Sequence, residues 1–253
     1  YNSIEARIDS FIDDDDDKLK RTFVRSNIEN ITKALAVEKN QSVHAYCRQE
    51  YTPVRFFMDC ETNIVPKEPG KVYTDEIKNA TPQYFDRFLG TVQNIIRYQL
   101  GMPDLYFITC FASSGDRLSA HLYATMNPES DSQTQSVQKE LYFCHLKHLR
   151  LFVENLKAVT KQFYEQQLKN IPALKEKEQK QLSMCYRWTL THLDDFFDLN
   201  VYDPGHSLRL YGSYSTKEGD KGKSERRLLE KKPNRRFKMF NVEKCIFHPL
   251  KPQ

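Results

Sequence analysis

The stretch DLYFITCFASSGDRLSAHLYATM, residues 104–126, restricts the fold more than any other part of the chain. An apolar run, a Ser-Ser-Gly-Asp turn and a second run of strand-forming residues predict a β-hairpin. In the returning strand Leu118, Ala120 and Leu122 alternate with Arg117, Ser119 and His121. Successive side chains on a strand point to opposite faces, so the polar trio shares one side.

A second strand is predicted in PVRFFMDCET, residues 53–62. Val54, Phe56 and Met58 face one way; Arg55, Phe57, Asp59 and Glu61 face the other. Two carboxylates on one face repel each other, and the arrangement calls for a compensating partner. Between the two strand regions, Thr81 and Pro82 are expected to open a helix striped by Phe85, Phe88, Leu89, Val92, Ile95 and Ile96 and stopped by Gly101 and Pro103. That stripe reads as core.

Upstream, Ile4, Ile8, Phe11 and Ile12 recur at helical spacing, and Ser26 to Glu29 (SNIE) reads as a capping box opening a second helix toward Leu35. The intervening DDDDDK, residues 13–18, reads as a solvated acidic loop. Residues 137 to about 192 are expected to be helical in two segments broken near Pro172, the first striped by Leu141, Leu149, Phe152, Leu156 and Phe163. HSLRLYGSY, residues 206–214, returns to strand alternation with Ser207, Arg209 and Tyr211 on one face. No internal repeat is visible.

With 39% hydrophobic and 12% aromatic residues in 253, the chain can build a substantial core and lacks the composition of a disordered segment. Its net charge of +4 means that any nucleic-acid face must be a local patch. KGKSERRLLEKKPNRRFK, within residues 221–238, is one such patch, its plain alternative being a solvated loop. No run approaches a membrane span, and YNSIEARIDS lacks the basic-then-apolar order of a secretory signal, so an intracellular protein without a membrane partner is expected. The six cysteines, at 47, 60, 110, 144, 185 and 245, show no paired spacing and read as free core thiols.

Three strand-like stretches therefore carry polar groups: Asp59 and Glu61; Arg117, Ser119 and His121; and, after FFDLNVY, Asp198 followed by Arg209. Closely spaced carboxylates suit hard divalent cations such as Mg2+ or Mn2+, and two such ions can clamp the attacking and leaving oxygens of a phosphoryl transfer. Arginine, histidine and serine donors suit a polyphosphate. Singly, each element has a plain explanation: an acid pair on a solvated face, an accidental Ser-x-His, a structural histidine.

In this order, VRFFMDCE, SSGDRLSAHLY and FDLNVYDPGHSLRLYGSYS resemble the three catalytic motifs of the archaeo-eukaryotic primase superfamily, in the style of eukaryotic primase-polymerases and primases of large DNA viruses. The resemblance spans about residues 50–216. It implies Asp59, Glu61 and Asp198 as metal ligands, with Asp194, Asp195 and Asp203 competing for the third place. It implies Arg117, Ser119, His121 and Arg209 as triphosphate contacts. Where the family carries a lysine shortly after that arginine this chain has Ser215, and Lys217 is the nearest substitute. The implied fold is α+β, an RRM-like mixed catalytic sheet (about residues 51–253) joined to a helical or mixed N-terminal module (about residues 1–50) in one catalytic domain over 1–253.

The implied activity is template-directed nucleotidyl transfer with Mg2+ or Mn2+ on single-stranded DNA, using nucleoside triphosphates and a primer. A helicase or single-strand-binding protein is an expected partner, and the nucleus, a mitochondrion or a viral replication site an expected location. Lys231, Lys232, Arg235, Arg236 and Lys238 are the expected nucleic-acid contacts. Two alternatives share these residues, a metal-dependent nuclease and a non-catalytic single-strand-binding module.

Overall fold

The computed structural model describes residues 3–12, 15–27, 29–31, 33, 41–46, 53–64, 73–111, 117–126, 141–171, 175–203 and 205–209. The fold is α+β. Strands β1 (Ser3–Ile12), β2 (Asp15–Asn27), β3 (Gln41–Tyr46) and β9 (Ser207–Arg209) form one sheet in the order β2-β1-β3-β9. Strands β5 (Phe57–Asn63), β6 (Leu105–Phe111) and β7 (Arg117–Met126) form a second, in the order β5-β7-β6, and β4 (Val54–Arg55) pairs with β8 (Tyr142–Phe143). Three long helices, α1 (Asp75–Leu100), α2 (Leu146–Lys169) and α3 (Glu176–Phe196), pack with them around one core.

The expected hairpin is present: β6 and β7 pair antiparallel from Leu105↔Met126 to Phe111↔Ala120, while the turn residues between them lie outside the described residues. Strand β5 lies on the other side of β7, also antiparallel. Hence β5 and β6 run parallel to each other, flank β7 and are joined across it by α1, a split βαβ unit. The sheet expected to be mixed is antiparallel in every described pairing.

Residues 3–12, expected to be helical, form β1, while the helix expected after Ser26 is present in the described residues 29–31 and 33. Positions 4, 8 and 12 fit a period of two as well as they fit a helical stripe, and β-branched isoleucine favours the strand. Ala6 is fully buried and Ile8 packs against the core, so even positions face inward. The acidic run is likewise not wholly a loop, since Asp15 to Asp17 belong to β2. Asp13 and Asp14 lie outside the described residues. The expected capping box shifts by one residue: β2 runs on through Ser26, and the Asn30 N–H donates to Asn27 Oδ1 at 2.8 Å.

Helix α1 begins well before the expected Thr81. Thr74 caps it, its Oγ1 accepting from the Ile77 N–H, and Asp75 and Glu76 favour the positive end of the helix dipole. The helix runs through Pro82, whose cost of about 3 kcal/mol is offset by the buried Tyr84, Phe85, Phe88, Leu89, Val92 and Ile96. Gly101 ends it at φ +60°, a left-handed conformation that glycine adopts without penalty.

The helix expected from residue 137 begins at Leu146, because β8 and the Leu141 carbonyl, which accepts the Phe56 N–H at 3.1 Å, pair with the strand region. Residues 127–140 lie outside the described residues. The inner stripe of α2 is Leu146, Leu149, Val153, Leu156, Thr160 and Tyr164; the expected Phe163 is exposed and Leu141 precedes the helix. Cys60, Cys110 and Cys185 are buried free thiols as expected, whereas Cys144 is exposed. Cys47 and Cys245 lie outside the described residues. Among the described residues no helix is long and apolar enough to cross a membrane.

Candidate active site

The register between β5 and β7 brings the first two motifs face to face. Asp59 stands opposite His121, Glu61 opposite Ser119 and Asn63 opposite Arg117. Directly opposed residues share a face and lie within reach of each other. Arg117 Nη2 forms an ion pair with Glu61 Oε2, and His121 Nε2 lies 3.5 Å from Asp59 Oδ1. The compensating partner that two neighbouring acids require is therefore in part Arg117.

The third motif arrives through the end of α3. Phe196 and Phe197 are buried, Phe196 stacking on Phe88 with ring centroids 4.2 Å apart, which fixes the chain where it leaves the helix. The Asp198 N–H then donates to the Asp59 carbonyl at 3.4 Å. Asp198 Oδ1 accepts from the Asn200 N–H at 3.0 Å and caps the 3-10 turn Leu199–Tyr202. The buried Tyr202 hydroxyl donates to the Phe57 carbonyl at 2.9 Å, tying that turn to β5.

Of the acids that competed with Asp198 in the sequence, Asp203 pairs with Arg150 and Asp194 with Lys157 at 2.7 Å. Asp194 and Asp195 nevertheless line, with Glu61, Asn63, Asp198 and Asn200, an open cavity of about 400 Å³. This cavity is strongly acidic. Arg209 ends β9 close enough for its charge to act on both Asp59 and His121, and its carbonyl accepts from the Tyr123 hydroxyl at 3.5 Å.

Burial, reinforced by the charge of Asp198, pushes the Asp59 carboxyl from 3.8 up to about 7, against the opposing pull of Arg209 and Arg117. Burial and the Arg209 charge push His121 from 6.5 down to about 3. The His121–Asp59 contact has the length of an ion pair, but a histidine so shifted is neutral at pH 7. The contact is therefore polar, without a formal cation. Burial also raises the Cys60 thiol and the Tyr202 hydroxyl well above their ordinary values.

The donor set suits a hard cation in kind. Asp59 Oδ1 is out of water and accepts no hydrogen bond, which is costly for a buried carboxylate oxygen unless a cation or proton meets it. Asp198 supplies a second carboxylate nearby, while Glu61 is engaged by Arg117. Among the described residues no three histidine, cysteine, aspartate or glutamate side chains already converge as a metal cage.

The structure thus gathers Asp59, Glu61, Arg117, Ser119, His121, Asp198 and Arg209 at the meeting of the two sheets and the end of α3. Lys217, Lys231, Lys232, Arg235, Arg236, Lys238 and Tyr211 lie outside the described residues. Two contributors were missed in the sequence. Tyr123 continues the Arg117, Ser119, His121 alternation, and its hydroxyl lies 3.3 Å from His121 Nδ1, so extending that alternation by one step finds it. Tyr202 has no comparable signal, since only folding brings it to β5. The sequence matches no family model and no curated protein.

Proposed function

We propose that the chain is a template-directed nucleotidyltransferase of the archaeo-eukaryotic primase type, which joins nucleotides on single-stranded DNA. The observation that carries this reading is the β5–β7 register, which sets the acid-x-acid pair directly against Ser-x-His with Arg117 one step further along. The split βαβ unit is also the kind of frame an RRM-like catalytic sheet uses. A nuclease needs the acids but has no use for an arginine, serine and histidine set on the facing strand.

In this reading Asp59, Asp198 and Glu61 would hold Mg2+ or Mn2+. Bound there, such ions would supply Lewis acidity at the 3′-hydroxyl and offset charge on the leaving pyrophosphate. Arg117, Ser119, His121 and Arg209 bind and orient the triphosphate. Arg117 has five N–H donors in a planar fork and can serve Glu61 and a phosphate oxygen together. Neutral His121 adds no charge to an already basic side of the site, and burial of Ser119 and His121 keeps water from competing for their hydrogen bonds. The primer 3′-hydroxyl loses its proton to solvent as its oxygen bonds to the α-phosphorus, the bond from that phosphorus to the β-phosphate bridging oxygen breaks, and pyrophosphate leaves.

The test is incubation with a primed single-stranded template, labelled nucleoside triphosphates and Mg2+ or Mn2+. Template-dependent extension is expected, and its loss in Asp59→Ala and Glu61→Ala with DNA binding retained. Absence of any incorporation while nucleic acid is cut would replace the reading with a nuclease. Binding without either reaction would replace it with a non-catalytic module.

A further inference from the structure

The N-terminal sheet has one face turned to the core, through Ala6, Ile8, Val24 and Leu208, and an opposite face on which the sequence motifs singled out only Ser207 and Arg209, both in β9. On that opposite face the edge strand β2 carries Arg21, Phe23 and Arg25 at alternate positions, all exposed, Phe23 to 58%. Successive members of such a series stand about 7 Å apart, the scale of one nucleotide step in an extended strand. The register then leads inward: Phe23 is opposite Arg7, Arg7 opposite His44, and His44 opposite Arg209. Three strand spacings, about 14 Å, separate the exposed phenylalanine from the arginine whose charge acts on Asp59.

We infer that this face, led by Arg21, Phe23 and Arg25, is a docking surface for single-stranded nucleic acid that guides it toward the candidate active site. Charge complementarity and the aromatic together choose this occupant. Among the described residues this face carries Arg7, Arg21, Arg25 and Arg209, with Asp9 in register opposite Arg21 and Glu5 in register opposite Arg25. Asp9 is buried and its Oδ2 accepts from Arg7 at 2.9 Å, so its charge lies low in the sheet while Arg21 and Arg25 reach solvent. Asp15 to Asp17 occupy the far end of β2, beyond a register shift at Phe11 and Ile12, and set the limit of the basic half.

Edge arginines also have a simpler use, since charge on an edge strand discourages pairing with another chain. That use does not account for Phe23. An aromatic more than half exposed between two arginines spends apolar surface on water, whereas a base stacked on its ring would cover it. Phosphates on either side would meet the guanidinium groups.

The experiment is fluorescence anisotropy of a labelled oligothymidylate over a salt series, without divalent metal or nucleoside triphosphate, so that binding is read apart from catalysis. Failure here leaves the nucleotidyltransferase reading standing, and failure of extension leaves this surface standing. Phe23→Ala is expected to weaken binding by about fivefold to a hundredfold with the salt slope unchanged, as for loss of one stacked base. Phe23→Tyr should restore the affinity. Arg21→Gln with Arg25→Gln should flatten the salt slope by about 1.4, roughly 0.7 for each phosphate released.

Parental affinity and slope in all variants would overturn the inference. An arginine effect without a phenylalanine effect would also overturn it, showing a surface that accepts any polyanion. Self-association of the double arginine variant with unchanged oligonucleotide binding would assign the arginines to edge protection instead. Because Phe23 is exposed, its two substitutions leave the core intact and decide the matter even if the double variant fails to fold.

Discussion

Asp59 holds a carboxyl that protonates near neutrality, and its pH behaviour can be worked out with sign. A carboxyl whose folded value is raised from 3.8 to about 7 makes the folded state bind more protons than the unfolded state in that window. Stability is therefore unaffected below about pH 4, falls as the pH rises through the window, and has lost its full share above about 7. His121, lowered from 6.5 to about 3, works in the opposite sense: its burial costs nothing above 6.5 and costs progressively more as the pH falls toward 3. Between about pH 4 and 6.5 the two slopes offset each other.

We predict that Asp59→Asn, with the metal-free protein, leaves stability near pH 4 unchanged and raises it at pH 8 by about 2 to 4 kcal/mol. The His121 slope should emerge between them. Urea unfolding at several pH values checks this, and a variant less stable than the parent at pH 8 would contradict the burial argument. The same substitution should abolish nucleotide incorporation, so one change would raise stability and remove activity.

At the scale of elements, the site depends on how the end of α3 and the 3-10 turn are fastened to β5. Two hydrogen bonds do this, the Asp198 N–H to the Asp59 carbonyl and the Tyr202 hydroxyl to the Phe57 carbonyl. Tyr202→Phe keeps the ring that packs 5.1 Å from Phe57 but removes the buried hydrogen bond from its hydroxyl to the Phe57 carbonyl. The expected cost is about 1 to 2 kcal/mol, read as a fall in Tm of about 2 to 4 °C for each kcal/mol. Activity should fall as well, because the turn carries Asp198. Unchanged Tm together with unchanged activity would show that the turn is held by packing alone.

For the whole molecule, β9 decides the organisation. It comes from the far end of the described chain and pairs with β3, closing the N-terminal sheet with residues 207–209. The described N-terminal strands therefore share one sheet with residues 207–209. Leu208, paired with Ala45, is buried in the same core that holds Phe88 and Trp188. One cooperative transition is expected, with far-UV circular dichroism and the fluorescence of Trp188 following the same curve. Leu208→Asp, which places a charge in that core, should shift both probes together to lower denaturant. Loss of sheet signal with the Trp188 transition unmoved would show two independent units.

Where local pattern and tertiary demand agreed, the sequence was sufficient. The alternation of Leu118, Ala120 and Leu122 with Arg117, Ser119 and His121 fixed β7 and its polar face, and Gly101 marked the end of α1, because strand pleat and left-handed backbone are local properties. Asp59 and Glu61 were legible as a pair for the same reason. Ile4, Ile8 and Ile12 were not, since their spacing satisfies two periods and only pairing with β2 and β3 chose the strand. Nor could the sequence say that Arg117 meets Glu61, that Asp198 rather than Asp194 or Asp203 reaches Asp59, or that a row from Phe23 ends at Arg209. Those facts depend on strand order, register and the direction in which a helix ends, which are set by contacts between residues far apart in the chain.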